Sequence, residues 1–140
     1  METKKSLSLG KDLPAEMNRI TGAVVDAAFA VHKNMGPGLL ESIYESCLIR
    51  ELKKRNLAFE RQRPIQVIYD GEPLEEKLRV DLIVEGKVII ELKAVDALLP
   101  IHEAQLLTYL KLTGCEIGLL INFNVRLIKN GIQRVALSRG

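Results

Sequence analysis

The chain has 140 residues, the usual length of one domain, and 47% of them are hydrophobic, as in globular proteins that bury a sizeable core. Aromatic residues make up 4% and there is no Trp, which argues against a module that binds single strands by stacking bases on aromatic rings. The formal net charge is +2, so composition alone does not indicate nucleic acid.

Cysteines, apolar runs and the N-terminus exclude further classes. Cys47 and Cys115 lie in apolar stretches without CxxC spacing, which is typical of buried, reduced cysteines in a cytoplasmic protein rather than of a zinc site. No apolar run reaches the roughly 18 residues of a membrane span. Residues 1–12 carry basic residues but no hydrophobic segment, and we interpret them as a mobile lead-in to one domain at 13–140.

The first half of the chain predicts two helices. A helix begins after Asp12, with Pro14 in its first turn, and its apolar residues recur at helical spacing as far as Val31. Gly36-Pro37-Gly38 ends this helix, because Pro lacks a donor and both glycines favour turns. The second helix covers residues 39–54.

The second half predicts mainly strands. They are expected at residues 64–69, 78–84, 88–95 and 117–122, followed by a hairpin over 126–137 that turns at Asn130-Gly131. A third helix at 101–113 ends at Gly114. The predicted order is therefore α-α-β-β-β-α-β with a C-terminal hairpin, which is an α/β fold.

Charged residues interrupt two of these strands. Glu91 and Lys93 share one face of the strand at 88–95 because side chains alternate, and their neighbours are apolar. Asp81 is likewise a charged residue among apolar neighbours, in the strand at 78–84. Burying such charges is costly unless they are paired or bind a metal. They form either a buried ion-pair cluster or, because two acids and one lysine leave excess negative charge, a site for a divalent cation.

The loop between these two strands decides whether the acids meet. If Val84 lies opposite Val88, with residues 85–87 as a three-residue loop, Asp81 lies directly across from Glu91. A two-residue loop would instead place Asp81 across from Ile90 and direct it away from Glu91. A shared acidic site therefore requires an odd-length loop or a bulge.

At this point the sequence resembles a known family. Asp81 followed by Glu91-Leu92-Lys93 resembles the metal-binding core of the PD-(D/E)XK nuclease superfamily, and residues 38–44 fit the GxxExxY signature of one of its branches. The resemblance extends from about Met17 to Leu137, although Val80 stands where the name of the superfamily has proline. It implies a restriction-endonuclease-like core, in which helices flank a central mixed sheet.

The resemblance also implies a site. Asp81, Glu91, the Leu92 carbonyl and Glu41 would bind Mg²⁺ or Mn²⁺, and Lys93 would orient the attacking water or stabilise the transition state. Glu41 has an alternative interpretation as an acid that favours the start of a helix.

Four further residues are assigned on the same basis. Glu45, one turn after Glu41, is the weaker substitute for it, and Tyr44 is expected to pack in the core with a hydrogen-bonded hydroxyl. Gln105 and Tyr109 share a helix face and resemble a QxxxY motif that orients groups beside metal and substrate. Gln105 could equally satisfy backbone groups at a helix–sheet boundary.

The predicted function is a Mg²⁺-dependent nuclease that hydrolyses phosphodiester bonds of DNA. Two alternatives stay open: a catalytically silent binding or regulatory module with a nuclease fold, and an RNA-directed hydrolase. A homodimer is also left open. A basic run could either track the nucleic-acid backbone or form a solvated surface. It consists of Lys53, Lys54, Arg55, Arg61 and Arg63.

Overall fold

The computed structural model describes residues 3–5 and 14–137. The helices are α1 (Ala15–Met35), α2 (Glu41–Lys54) and α3 (Pro100–Thr113), with a short 3-10 helix at Ile128–Gly131. The strands are β1 (Thr3–Lys5), β2 (Phe59–Tyr69), β3 (Glu72–Val84), β4 (Val88–Lys93), β5 (Ile117–Asn122) and β6 (Ile132–Leu137).

The strands form one mixed sheet in the order β1-β6-β5-β4-β3-β2. Strands β4 and β5 are parallel, and the other neighbours are antiparallel. Because side chains alternate along a strand, Leu82 and Ile90 pack against α1 and α2 on one face, whereas Ile83 and Ile89 pack against α3 on the other. The predicted α/β class, with helices flanking a central mixed sheet, is confirmed.

From α1 to β5 the elements follow the predicted order, but β2 and β3 are longer than expected. Together they form a long hairpin, and residues 66–77 in its outer half are largely exposed. The sequence predicted the outer part of β2, residues 64–69, and the inner part of β3, residues 78–84. It missed residues 59–63 and 72–77, because their charged and largely exposed side chains lack the alternation of apolar and polar residues that marks a half-buried strand.

The predicted C-terminal hairpin is wrong in its first strand. Residues 128–131 form the 3-10 helix, and β6 pairs with β5 rather than with residues 126–130. The sequence suggested a turn because Asn-Gly usually supplies two residues with positive φ. Gly131 has no positive φ; a Cβ there would lie 2.1 Å from the Asn122 carbonyl oxygen. This glycine is needed for close packing and not for a turn.

The N-terminal predictions are mostly outside the described residues. Thr3–Lys5 pairs with Val135–Leu137 at the sheet edge, which the sequence did not predict. The rest of the predicted lead-in and the cap at Asp12 fall on residues that the structure does not describe. Within the described part, no helix is both long and apolar enough to cross a membrane.

Tyr44 fixes the connection between α1 and α2. Its hydroxyl donates to the Gly36 carbonyl at 2.6 Å and accepts from the Leu39 N–H at 3.1 Å. Its ring is fully buried and stacks on Phe123, with centroids 4.6 Å apart. The expected core role of Tyr44 is confirmed, and the loop that it holds determines where α2, and therefore Glu41, begins.

Substituting Tyr44 by Phe is expected to lower the free energy of unfolding by about 1–3 kcal/mol, because the Gly36 carbonyl and the Leu39 N–H both lose their partner. Urea denaturation measures the change. Tyr69→Phe is the matched control, because Tyr69 is 73% exposed and the same substitution there should change stability by less than about 0.5 kcal/mol. Equal effects at both positions would contradict the role of the hydroxyl.

Candidate active site

The register of β3 and β4 brings the two predicted acids together. Val84 lies opposite Val88, and the pairing continues to Leu82 opposite Ile90. The loop at residues 85–87 has three residues: Lys87 N–H donates to the Val84 carbonyl at 3.0 Å, and both residues before Lys87 have positive φ. The predicted odd-length loop is confirmed. The next residues along the two strands are Asp81 and Glu91.

At Asp81 and Glu91, side-chain carboxylates take the place of the backbone carbonyls that would continue the hydrogen bonding between β3 and β4. The Asp81 N–H donates to Glu91 Oε2 at 2.9 Å, and the Leu92 N–H donates to Asp81 Oδ2 at 2.8 Å. The two carboxylates therefore lie between β3 and β4 where the pairing of these strands ends, each fixed by a backbone amide of the other strand. A charge-assisted bond of this kind is stronger than one between neutral groups.

Both carboxyls have raised pKa values. Burial raises the pKa of Glu91 to about 8, helped by the negative charge of Asp81, while the Asp81 N–H and the Lys93 charge act in the opposite direction. Burial also raises the pKa of Asp81, against the Leu92 N–H, with a further increase from the charge of Glu45. Two neighbouring buried carboxylates are thus costly to ionise together, and a cation would lower that cost.

Lys93 and Leu92 complete the predicted core of the site. Lys93 lies on the same face of β4 as Glu91 and is partly buried. The Lys93 carbonyl accepts from the Phe123 N–H at 3.0 Å and so points towards the β5 side. Because backbone groups alternate in direction along a strand, the Leu92 carbonyl points to the other side, where the Leu92 N–H already contacts Asp81.

These donors fit a hard divalent cation. Within residues 14–137 no group of three or more His, Cys, Asp and Glu side chains is arranged to hold a metal by itself. Mg²⁺ does not require such a cage, since it usually binds one or two carboxylates and fills its remaining positions with water and substrate phosphate. Asp81, Glu91 and the Leu92 carbonyl supply two carboxylates and a carbonyl oxygen, which is a donor set of this kind.

The two acids of α2 differ in their surroundings. Glu41, the first residue of α2, is exposed, yet its charge raises the pKa values of both Asp81 and Glu91. Glu45, predicted as the weaker substitute, is 7% exposed and accepts bonds from Arg61 and Gln62. Glu41 is thus placed near the pair without direct bonds to it, and its assignment as a ligand stays a prediction.

The two residues of α3 that were predicted to orient groups at the site, Gln105 and Tyr109, differ in their surroundings. Tyr109 is partly buried, and its pKa is raised first by burial and then by the charges of Glu91 and Asp81, which places its hydroxyl near the acids. Gln105 is exposed, and the described residues give it no hydrogen bond. His102 accepts the Leu99 N–H at the start of α3.

Asn122 and Gln62 were missed by the sequence analysis. Asn122 is fully buried at the end of β5, where its side chain bonds both the N–H and the carbonyl of Val95 and so fixes the chain just after Lys93. A polar residue that ends an apolar strand was a usable signal for it. Gln62 contacts Glu45 and Asp81 from β2 through an unusual backbone conformation, for which the sequence offers no signal.

The predicted basic run is largely neutralised. Lys54 and Arg55 both pair with Glu51, and two further ion pairs join Arg61 to Glu45 and Arg63 to Glu60. A cation with a carboxylate partner contributes less to an electrostatic surface for nucleic acid. The alternative of a solvated surface is favoured for this segment.

The fold and geometry define an α/β protein in which two carboxylates and a lysine lie together on two neighbouring central strands. The chain belongs to the PD-(D/E)XK nuclease superfamily, because the family model of that description matches residues 18–135. Members of this superfamily are typically nucleases and generally use divalent metal ions.

One solved structure that matches is described as "Crystal structure of SSO0001". The match has a TM-score of 0.45 and 30% sequence identity, and it covers 58% of this chain and 43% of that chain. The chain therefore spans less than half of that structure's length. No curated protein matches the chain.

Proposed function

We propose that the protein is a Mg²⁺-dependent nuclease of the GxxExxY branch that hydrolyses phosphodiester bonds of DNA. The observation that carries the proposal is the pair of carboxylates formed by the partly buried Asp81 and the buried Glu91, which face each other where the pairing of β3 and β4 ends. Lys93 lies beside Glu91, and its charge lowers the pKa of that residue. Two acids and one ammonium group leave the net negative charge that a divalent cation neutralises.

Each residue then has a separate role. Asp81, Glu91 and the Leu92 carbonyl hold the cation, with Glu41 close by. When bound, the cation lowers the pKa of a coordinated water and offsets charge on the scissile phosphate. Lys93 stabilises the negative charge that develops on the phosphate oxygens, in surroundings that exclude much of the solvent. Tyr109 and Gln105 orient the substrate phosphate.

The GxxExxY assignment is supported by what the motif does in the loop before α2. Gly38 has φ +100°, a conformation that favours glycine, and Tyr44 bonds the backbone on both sides of this residue. The motif thereby sets the position of Glu41 at the start of α2. All three named residues of the signature thus act on the same connection.

Incubation with linear, circular and single-stranded DNA, and with RNA, in Mg²⁺, Mn²⁺ or EDTA tests the proposal. Cleavage of DNA with either metal and its loss in EDTA are expected, and cleavage of the circle would identify an endonuclease. Activity that persists in EDTA would contradict the mechanism. Cleavage of RNA alone would favour the RNA-directed hydrolase, and metal binding without any cleavage would favour the silent binding module.

A groove near the carboxyl end of β5 supports a nucleic-acid substrate. It has a volume of about 200 Å³ and lies between α1 and the loop before β6, with the exposed cations Lys33, Arg126 and Lys129 in its lining. None of the three forms an ion pair with another described residue. Phe29, also in the lining, is 44% exposed and offers a face for a base. The loop begins after Phe123, whose N–H donates to the Lys93 carbonyl, so it starts next to the carboxyl end of β4.

Reversing the three groove charges with Lys33→Glu, Arg126→Glu and Lys129→Glu is expected to weaken DNA binding at least about tenfold, because fewer phosphates are neutralised. Fluorescence anisotropy in EDTA measures binding without cleavage. The slope of log K against log salt should become shallower by about 0.7 for each lost contact to a single strand.

The matched control reverses three exposed lysines elsewhere, Lys53, Lys77 and Lys111, and produces the same change in net charge. A smaller loss of affinity is expected for this control. Equal losses in the two triple variants would show that overall charge, and not the groove, governs binding.

A further inference from the structure

Gln62 has an unusual backbone conformation in the interior of β2. Its φ is +47°, in the left-handed region that residues other than glycine rarely adopt. The residues on either side keep regular pairing with β3, Arg61 with Leu82 and Arg63 with Val80. The position opposite Gln62 is Asp81, whose N–H is directed to Glu91. The irregularity of β2 therefore coincides with the residue of β3 that enters the acidic site.

Three contacts hold Gln62 in this conformation. Its Nε2 donates to Glu45 Oε1 at 2.8 Å and to Asp81 Oδ1 at 3.4 Å, and its carbonyl accepts from Arg79 Nη1 at 3.3 Å. A strained residue persists only where its surroundings determine it strongly, and such residues cluster at functional sites. Here the contacts to the Gln62 side chain and to its backbone carbonyl hold the residue in this conformation.

Glu45 decides which end of the Gln62 amide faces the acids. A carboxylate only accepts hydrogen bonds, so it selects the NH₂ group of the amide, which has two hydrogens to donate. Arg61 forms an ion pair with the buried Glu45, with Nη2 at 3.1 Å from Glu45 Oε2. The second hydrogen of the Gln62 amide is therefore available to Asp81, and the amide adds no charge to a site that already carries two acids.

We propose that Gln62 is a positioning residue for the cation ligand Asp81, an inference that rests on the proposed function. The Leu92 N–H holds one oxygen of the Asp81 carboxylate and the Gln62 amide restrains the other. The plane of the carboxylate is thus fixed at both oxygens before a cation binds. The bond from Gln62 is long, which leaves the Oδ1 lone pairs accessible to a cation.

Two substitutions separate positioning from stability. Gln62→Gly removes the side chain and relieves the strain, because glycine adopts a φ of +47° readily. Gln62→Ala removes the same side chain and keeps the strain. Asn56→Gly is the matched control, since Asn56 also has a positive φ, +58°, but lies exposed beyond the end of α2.

Mn²⁺ affinity, measured by calorimetry without nucleic acid, is the decisive readout, together with the melting temperature. Both Gln62 variants are expected to bind Mn²⁺ about 10–100-fold more weakly than the wild type, which is the usual effect of losing a group that orients a metal ligand. The Gly variant should melt at a higher temperature than the Ala variant. In the cleavage assay kcat should fall while KM for nucleic acid stays near that of the wild type. Asn56→Gly should leave Mn²⁺ affinity unchanged.

The Mn²⁺ measurements distinguish failure of the Gln62 proposal from failure of the proposed metal site. Wild-type Mn²⁺ affinity in both Gln62 variants, with only the melting temperature changed, would show that Gln62 is structural and would overturn the proposal. Absence of Mn²⁺ binding in the wild type would overturn the proposed metal site, and the role of Gln62 with it.

Discussion

Asp81→Ala and Lys93→Ala are each expected to lower the rate of DNA cleavage about 10³-fold or more, but for different reasons. Asp81 is held beside Glu91 by the Leu92 N–H, and in the proposed mechanism its removal takes away one of two carboxylate ligands. A loss of about 4 kcal/mol of transition-state stabilisation corresponds to this factor. In the same proposal Lys93 supplies charge to the reacting phosphate and not to the cation, so its removal is expected to act on the chemical step.

Metal binding distinguishes the two roles. Asp81→Ala should weaken Mn²⁺ binding, whereas Lys93→Ala should leave it near the wild-type value or strengthen it, because a positive charge next to Glu91 is lost. Glu76→Ala and Lys77→Ala are matched controls, since both side chains are exposed on the outer half of the β2–β3 hairpin. Cleavage at the wild-type rate by either site variant would remove that residue from the mechanism.

The meeting of Asp81 and Glu91 followed from the sequence because strand geometry has a period of two. Once the loop between Val84 and Val88 has three residues, the register of every position further from the loop is set, and both acids must lie on one face. Burial of the charged pair followed equally from its apolar neighbours. Such local rules need no knowledge of distant contacts.

The contribution of Gln62 could not be predicted, because it depends on several distant elements. Its left-handed backbone is stabilised by Glu45 on α2, Asp81 on β3 and Arg79 on β3, and none of these contacts leaves a local pattern in β2. Which of Glu41 and Glu45 is buried could not be predicted for the same reason. Their spacing placed both on one side of α2, but only the approach of Arg61 and Gln62 distinguishes the buried acid from the exposed one.

The metal-free protein is expected to lose stability as the pH rises from about 5 to above 8. Glu91 has a pKa of about 8 in the folded protein against an ordinary value of 4.5, so the folded state binds the proton more tightly than the unfolded state. The stabilisation is complete below the ordinary value and disappears as the pH passes the folded value. It amounts to at most about 5 kcal/mol, at 1.36 kcal/mol for each unit of pKa. The raised pKa of Asp81 acts in the same direction.

Urea denaturation between pH 5 and 9, in EDTA and in saturating Mg²⁺ or Mn²⁺, measures this effect. Glu91→Gln should flatten the pH profile in EDTA and make the variant more stable than the wild type above pH 8, because an amide cannot ionise in the buried site. A cation that binds the ionised pair should restore wild-type stability most at high pH, by RT ln(1 + [M]/Kd). The exposed Glu76→Gln should leave the profile unchanged. If the wild type and Glu91→Gln show the same pH dependence in EDTA, the carboxylates are not held together in the buried arrangement on which metal binding depends.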